Sequence, residues 1–393
     1  MSPSPQVIYF DNAATSFPKP APVAAAIGDF LANLAVNPGR GGFDLSLEGG
    51  RLVDSVRSRL DGFFNNPARD PDRAIFTTNA TDALNHAIQG VCRPGDHVVA
   101  TVMDHNSVLR PLFMLRKAGI ITFDLVGADT SGRIDPADLE ALIRPETRLV
   151  VMTHASNVCG AVQPAREVGA ICRAKGVLFL LDAAQTAGIF PVDMEELQVD
   201  MVAFTGHKSL LGPTGIGGLI VGPDVDIRST RWGGTGVRSA VREHLEKFPW
   251  RLESGTLNTV GIAGLAAGME WVQAKEPGSL LAHEIKLANR FLAGCADLKK
   301  LTVHGCGAPR PTALGPDQMP VVSITVEGRS AEEIGLFLDA DWNIAVRTGL
   351  HCAPLAHEAL GTTPLGSARF SFGPFNTEAD VDEAVAAMRD IAK

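Results

Sequence analysis

Two hydrophobic rhythms alternate along the first two thirds of the chain. Short, nearly unbroken apolar runs at Ala74–Thr77, His97–Thr101, Ile120–Val126, Leu149–Thr153, Val177–Leu181, Met201–Thr205 and Gly218–Val221 predict strands buried on both faces. Between them, Leu47–Phe64, Thr81–Val91, Ser107–Lys117 and Pro164–Lys175 carry the three-to-four-residue spacing of helices. In the earliest of these, Leu52, Val53, Val56, Leu60 and Phe63 fall on one face. Such alternation predicts an α/β fold with a mostly parallel seven-stranded sheet between helices.

The rhythm changes near residue 256. Helical patterns over Thr259–Ala274 and Ser279–Ala296 precede a strand at Val321–Val326 and a helix at Ala331–Leu338. Strands at Ile344–Arg347 and Arg369–Phe372 and a helix at Glu378–Ile391 follow, with a Gly- and Pro-rich loop at Gly305–Gln318. This predicts a large domain over residues 16–256 and a smaller C-terminal α+β domain over 257–393, with residues 1–15 assigned to the smaller one.

Composition narrows the functional classes. The chain has 393 residues, 45% hydrophobic and 20% charged, ordinary for a soluble enzyme able to bury a large core. Lys plus Arg number 35 against 44 Asp plus Glu, a net charge of −9 with no basic run. That argues against nonspecific binding to nucleic acid or an anionic membrane surface. No apolar stretch approaches the roughly 18 residues of a membrane helix. Met1–Gln6 lacks the basic and apolar regions of a secretory signal. Six cysteines without a C-x-x-C pair read as free thiols, and a cytoplasmic enzyme is expected. No metal site is expected.

Three stretches carry candidate chemistry. A strand ending at Thr205 runs into Gly206, His207 and Lys208, then into glycines. A lone lysine is usually a solvated surface group, but one desolvated at a strand end becomes a nucleophilic amine. Asp182 closes an all-apolar strand 26 residues earlier, where an unpaired carboxylate is costly. Lysine and aspartate at neighbouring strand ends are what pyridoxal phosphate requires: the lysine forms a Schiff base and the aspartate keeps the pyridine nitrogen protonated. A phosphate cradle is available where Phe76–Asn79 enters a helix at Ala80–Thr81, although an ordinary N-cap explains the same residues.

These residues, together with Tyr9–Ser16, His154–Asn157, Glu253–Thr256, Arg347–Ala353 and Phe375–Thr377, give the chain its resemblance to fold-type I, class V pyridoxal-phosphate enzymes, and within them to cysteine desulfurases of the second group. The resemblance implies Lys208 as the Schiff-base lysine and Asp182 as partner of the ring nitrogen. It implies Gln185 on the phenolic oxygen, and His105 stacked on the ring as a proton carrier. Ala80, Thr81, Thr205 and His207 become phosphate ligands. Thr256 would reach in from a second subunit, making a homodimer obligatory. Asn157 and Arg369 become substrate-side residues, Arg369 gripping the carboxylate as a fork.

An unselected cysteine is most often an inert core thiol. Cys352 instead lies in Leu350-His-Cys-Ala-Pro354, a poor buried strand. Its thiolate would take the sulfur of L-cysteine as a persulfide, releasing L-alanine, with Arg347 supplying charge and His351 either supplying charge or serving a structural role. A short interval of 16 residues between Cys352 and Arg369 resembles the group that hands sulfur to an acceptor protein. Leu350 and Trp232–Arg238 depart from that group's pattern. A selenocysteine lyase acting on L-selenocysteine, a class V aminotransferase and a non-catalytic scaffold stand as alternatives. The glycine clusters at 212–218 and 233–236 do not sit where a dinucleotide fingerprint must.

Overall fold

A computed structural model describes residues 7–39 and 41–393. Its strands are β1 (Ile8–Tyr9), β2 (Ala74–Thr77), β3 (His97–Thr101), β4 (Thr122–Val126), β5 (Thr147–Thr153), β6 (Leu178–Asp182), β7 (Met201–Thr205) and β8 (Gly217–Val221), then β9 (Leu301–His304), β10 (Val321–Val326), β11 (Ile344–Ala345), β12 (Arg347–Gly349) and β13 (Ser367–Ser371). The large sheet has seven strands in the order β2-β8-β7-β6-β5-β3-β4. Only β8 runs against its neighbours. The expected α/β architecture is therefore present, with the strand ends of β2, β3, β5, β6 and β7 gathered at one edge.

Both faces of this sheet are covered. On one, Val53, Val56 and Leu60 of helix Asp44–Phe63 pack with Val150, Phe179 and Val202. On the other, Leu84 and Ile88 of helix Ala80–Val91 pack with Val98, Val151 and Leu180. Burial of this kind contributes roughly 1.5–3 kcal/mol per large side chain. Gly217 is required where β8 passes the turn before that helix. A Cβ there would lie 2.7 Å from the Phe204 carbonyl and 2.8 Å from the Asn79 Cα.

The second sheet, in the order β12-β13-β10-β9, is antiparallel throughout. Phe291, Val322, Phe370 and Met388 form its core. Phe10 joins that core, and β1 pairs in parallel with β11; residues 1–6 of the N-terminal segment lie outside the described residues. The change in packing falls one helix later than the expected boundary. Ile262, Leu265 and Met269 of helix Thr259–Gln273 belong to the core of the large sheet.

Other departures have local causes. The run 344–347 divides between two sheets, because the chain leaves β1 and begins pairing with β13. Strand β9 escapes prediction because only Leu301 and Val303 of its four residues are fully buried. Helix Ala21–Asn33 is apolar around much of its circumference and starts at Pro20 without a side-chain cap, so neither periodicity nor a cap marks it.

One buried ion pair ties the loop 253–256 to the large sheet. Arg57 spans both carboxylate oxygens of Glu253 at 2.8 and 2.5 Å, and Glu253 also accepts the Phe76 amide at 2.7 Å. Glu253→Ala strands the Arg57 guanidinium in the interior and is expected to cost about 3–5 kcal/mol, measurable by urea unfolding.

Candidate active site

A cavity of about 240 Å³ opens at the carboxyl ends of β2, β3, β5, β6 and β7, the edge where α/β sheets collect ligands. Ala80, Thr81, His105, Asn157, Asp182, Gln185, Thr205, His207 and Lys208 all line it, so nine of the residues singled out in the sequence meet there, together with Arg347. Burial leads in pulling the Lys208 amine down to about 8; the Asp182 charge opposes this, while Arg369 and Arg347 reinforce it. Burial likewise raises the Asp182 carboxyl, against a hydrogen bond from the Ala184 amide at 2.9 Å and the Lys208 charge.

The residues fit pyridoxal phosphate on their own unmet hydrogen bonds. Thr205 Oγ1 and His207 Nδ1 are buried without a partner. Beside them, Asn79 caps the helix by accepting from the Asp82 amide at 3.0 Å. Among the described residues the Ala80 and Thr81 amides keep no partner, at a helix start whose dipole favours an anion. An anion at this corner would satisfy all four groups, and the Asp182 carboxylate gains an ion pair if a protonated ring nitrogen faces it.

His105 is set by groups the sequence did not single out. Ser107 places its amide 3.0 Å from His105 Nδ1, so that nitrogen accepts and the ring proton sits on Nε2. The Ser107 hydroxyl lies 2.7 Å from both His105 Nδ1 and Thr81 Oγ1, linking the ring to the phosphate corner. Burial, then Lys208, lowers the His105 imidazole to about 4. The preceding residue, Asp104, is wholly buried. It accepts the Thr101 amide at 2.7 Å and the Thr153 amide at 2.7 Å, locking the ends of β3 and β5 together. Ser107 reads as a helix-start residue in the sequence, and Asp104 as one more turn carboxylate; neither is marked by spacing.

The expected carboxylate fork at Arg369 is already engaged in this structure. Its side chain is 0% exposed and absent from the cavity wall. One nitrogen donates to the Asn157 carbonyl at 2.8 Å and another to Asp11 at 2.5 Å, while Nε has no partner. The guanidinium that does face the cavity is Arg347. Thr256 is exposed and outside the cavity of its own chain. Gln185 lines the wall with its amide 3.1 Å from the Ala13 carbonyl.

Cys352 is the one exposed cysteine of six, and it lines a groove of about 550 Å³ that runs past His105 beside the cavity mouth. Its sulfur lies 3.3 Å from an Arg347 nitrogen, in reach of charge stabilisation. Burial pushes Cys92, Cys172 and Cys295 up to about 12 and Cys306 to about 11, and raises Cys159 as well. Of the two roles open to His351, the charge-donating one is not supported. That ring is buried, and burial, then Arg369, drives it down to about 2, so it stays neutral.

A fold-type I site of this kind places the protein among enzymes of one family, and comparison bears this out. The aminotransferase class-V family model matches residues 8–384, and the chain belongs to that family. Within it, the chain is 32% identical to a probable cysteine desulfurase of Methanothermobacter thermautotrophicus, over 98% of this chain and 94% of the relative. It is also 32% identical to a cysteine desulfurase of Escherichia coli O127:H6, over 98% and 93%. The apo structure of a cysteine desulfurase from Thermococcus onnurineus NA1 superposes with a TM-score of 0.89 at 31% identity, covering 98% of this chain and 94% of that one.

His154 offers a test of the burial beneath the site. Its ring is 2% exposed, 3.0 Å from the Thr186 hydroxyl, and burial lowers it from 6.5 to about 4. Between those values the unfolded chain binds a proton that the folded one refuses, so this residue's contribution is full above pH 6.5 and lost as pH falls toward 4. The stability advantage of the wild type over His154→Gln should shrink on acidification by up to about 1.4 kcal/mol per pH unit, read from urea unfolding at a series of pH values.

Proposed function

We propose that the protein is a pyridoxal-phosphate-dependent L-cysteine desulfurase that yields L-alanine and a persulfide on Cys352. The observation that carries the proposal is a single exposed thiol, 3.3 Å from the Arg347 guanidinium, in a groove that shares Thr81, His105 and Ser107 with the cavity lined by Lys208 and Asp182. Names of relatives 32% identical over nearly the whole chain support the same reaction. No feature of the site favours L-selenocysteine over L-cysteine.

When bound, the cofactor would supply an electron sink that labilises bonds at the substrate's α-carbon. Lys208 would hold it covalently, Asp182 would pair its ring nitrogen and Gln185 its phenolic oxygen. The Ala80 and Thr81 amides, Thr205 and His207 would bind its phosphate. His105 carries one ring proton, on Nε2, and its other nitrogen is occupied by the Ser107 amide. Any proton it exchanges with substrate therefore passes through Nε2. A cysteine carboxylate entering the cavity meets Arg347 first and reaches Arg369 only if Asp11 yields. Asn157 borders the same space and fixes Arg369 through its carbonyl.

The sulfur step is a displacement at sulfur. The Cys352 thiolate forms an S–S bond as the substrate's C–S bond breaks; the carbon fragment keeps that electron pair and, once protonated, leaves as alanine. The Arg347 guanidinium lies 3.3 Å from the attacking sulfur. The exposed position of Cys352 fits delivery to an acceptor protein. Thr256, exposed on a loop anchored by the Arg57–Glu253 pair, fits a contact with the phosphate of a second subunit in a homodimer.

Alanine formed from L-cysteine, with a reductant and without a keto acid, is the primary measurement, and sulfide should appear in step. Cys352→Ala should keep the cofactor's absorbance and lose persulfide formation; normal sulfur transfer by that variant would sink the proposal. Iodoacetamide should label Cys352 well before the other five thiols, as peptide mapping would reveal. Lys208→Ala should lose the absorbance of covalently held cofactor.

A further inference from the structure

Cys352 sits on a strained piece of backbone. His351 and Cys352 are consecutive non-glycine residues with φ of +48° and +59°, directly after Gly349 and Leu350. Left-handed geometry is unfavourable for a side-chain-bearing residue, and it persists only where the surroundings enforce it. Two tethers come from the large sheet's loops. The Asn106 amide donates to the Cys352 carbonyl at 2.8 Å, and the Asn157 side chain donates to the His351 carbonyl at 2.7 Å.

A third tether is a chain of side chains behind the loop. His351 Nε2 lies 3.2 Å from the Arg347 carbonyl, and its Nδ1 lies 3.0 Å from His357 Nε2. His357 Nδ1 in turn lies 2.6 Å from the Thr362 hydroxyl. A carbonyl only accepts, so His351 carries its proton on Nε2. Its Nδ1 must then accept from His357 Nε2–H, and His357 Nδ1 must accept from the Thr362 hydroxyl. One fixed acceptor thereby orders the tautomers of two rings and the direction of a hydroxyl. His351, His357 and Thr362 are all less than a tenth exposed. The far end is fastened too: the Thr362 amide donates to the His357 carbonyl at 2.9 Å, closing the short helix Pro354–Ala359.

We infer that the Thr362–His357–His351 relay is a positioning device for the reactive loop. It runs from the end of helix Pro354–Ala359 to the backbone of Arg347, the residue whose guanidinium faces the Cys352 sulfur, and keeps those two groups at their 3.3 Å separation. His357 and Thr362 touch neither cavity nor thiol and act only through the loop. The inference rests on the reading of Cys352 as the sulfur acceptor, and it assigns work to two residues outside every motif that carried that reading.

The test separates binding from sulfur transfer. In the cofactor-loaded enzyme, His357→Leu should leave the cysteine concentration that half-saturates the cofactor's absorbance change within about twofold. Single-turnover persulfide formation should slow about tenfold or more, as a displaced nucleophile requires. His357→Gln keeps a donor for His351 and an acceptor for Thr362 and should recover most of the rate. Thr362→Val, with Thr362→Ser as its rescue, should reproduce the pattern more weakly and replaces the first pair if His357→Leu does not fold. Alkylation of Cys352 by iodoacetamide at fixed pH needs no cofactor chemistry, and its rate should change in the Leu and Val variants and return in Gln and Ser. Unchanged persulfide and alkylation rates in the Leu and Val variants would overturn the inference, as would equal defects in Leu and Gln. If Cys352→Ala still transfers sulfur, the underlying reading fails instead, while the alkylation series still reports on the relay.

Discussion

A guanidinium with no access to water is the constraint on which the site's geometry depends. Arg369 stands on β13 of the small sheet, takes its counter-charge from Asp11 in the N-terminal segment, and donates to the Asn157 carbonyl at the end of β5. A buried cation held this way is weak evidence of net stability, since desolvation offsets much of the attraction. Its effect is one of registration: breaking either contact leaves a charge or a donor unmet, so the three pieces of chain keep one relative placement. The same N-terminal segment continues to Ser16, whose hydroxyl donates to the Lys208 carbonyl at 3.0 Å. Arg369 and Lys208 are thus fastened by one strap.

The large sheet was legible in the sequence because its strands are short apolar runs between amphipathic helices, where period and burial agree. Lys208 and Asp182 were legible for a related reason: ionisable groups closing apolar strands stand out against their neighbours. Arg369 was located, but its state was not, because its partner lies 358 positions away in the chain. For His351, sequence proximity to a thiol left a charge-donating and a structural role both open. Proximity says nothing of burial, and burial makes that ring a neutral hydrogen-bonding link. Ser107 and Asp104 were invisible because each also joins a group brought in from another strand end, Thr81 and Thr153, which no spacing announces. The boundary near residue 256 was drawn where the hydrophobic rhythm changes, whereas the packing changes only after helix Thr259–Gln273.

Floor and thiol are thus separately built. Lys208 and Asp182 are fixed by the large sheet, whereas Cys352 leaves the small sheet at β12 and is returned to the cavity by Asn106 and Asn157. On the proposed function, chemistry divided between loops of the two sheets would depend on their registry as much as on the identity of any side chain. This is why the hydrogen bonds that matter most here join loops rather than strands.

The distribution of the six thiols has a final consequence. Four are buried and Cys306 is partly buried, and burial raises all five above the ordinary thiol range, whereas Cys352 stands at the surface. Thiol exchange needs a thiolate to move sulfur onward, so the interior offers no stepping stone along which a sulfane atom could wander. On the proposed function, sulfur loaded at Cys352 would have a single direction of travel, outward, making the molecule a one-port carrier whose traffic is set by whatever arrives at that port.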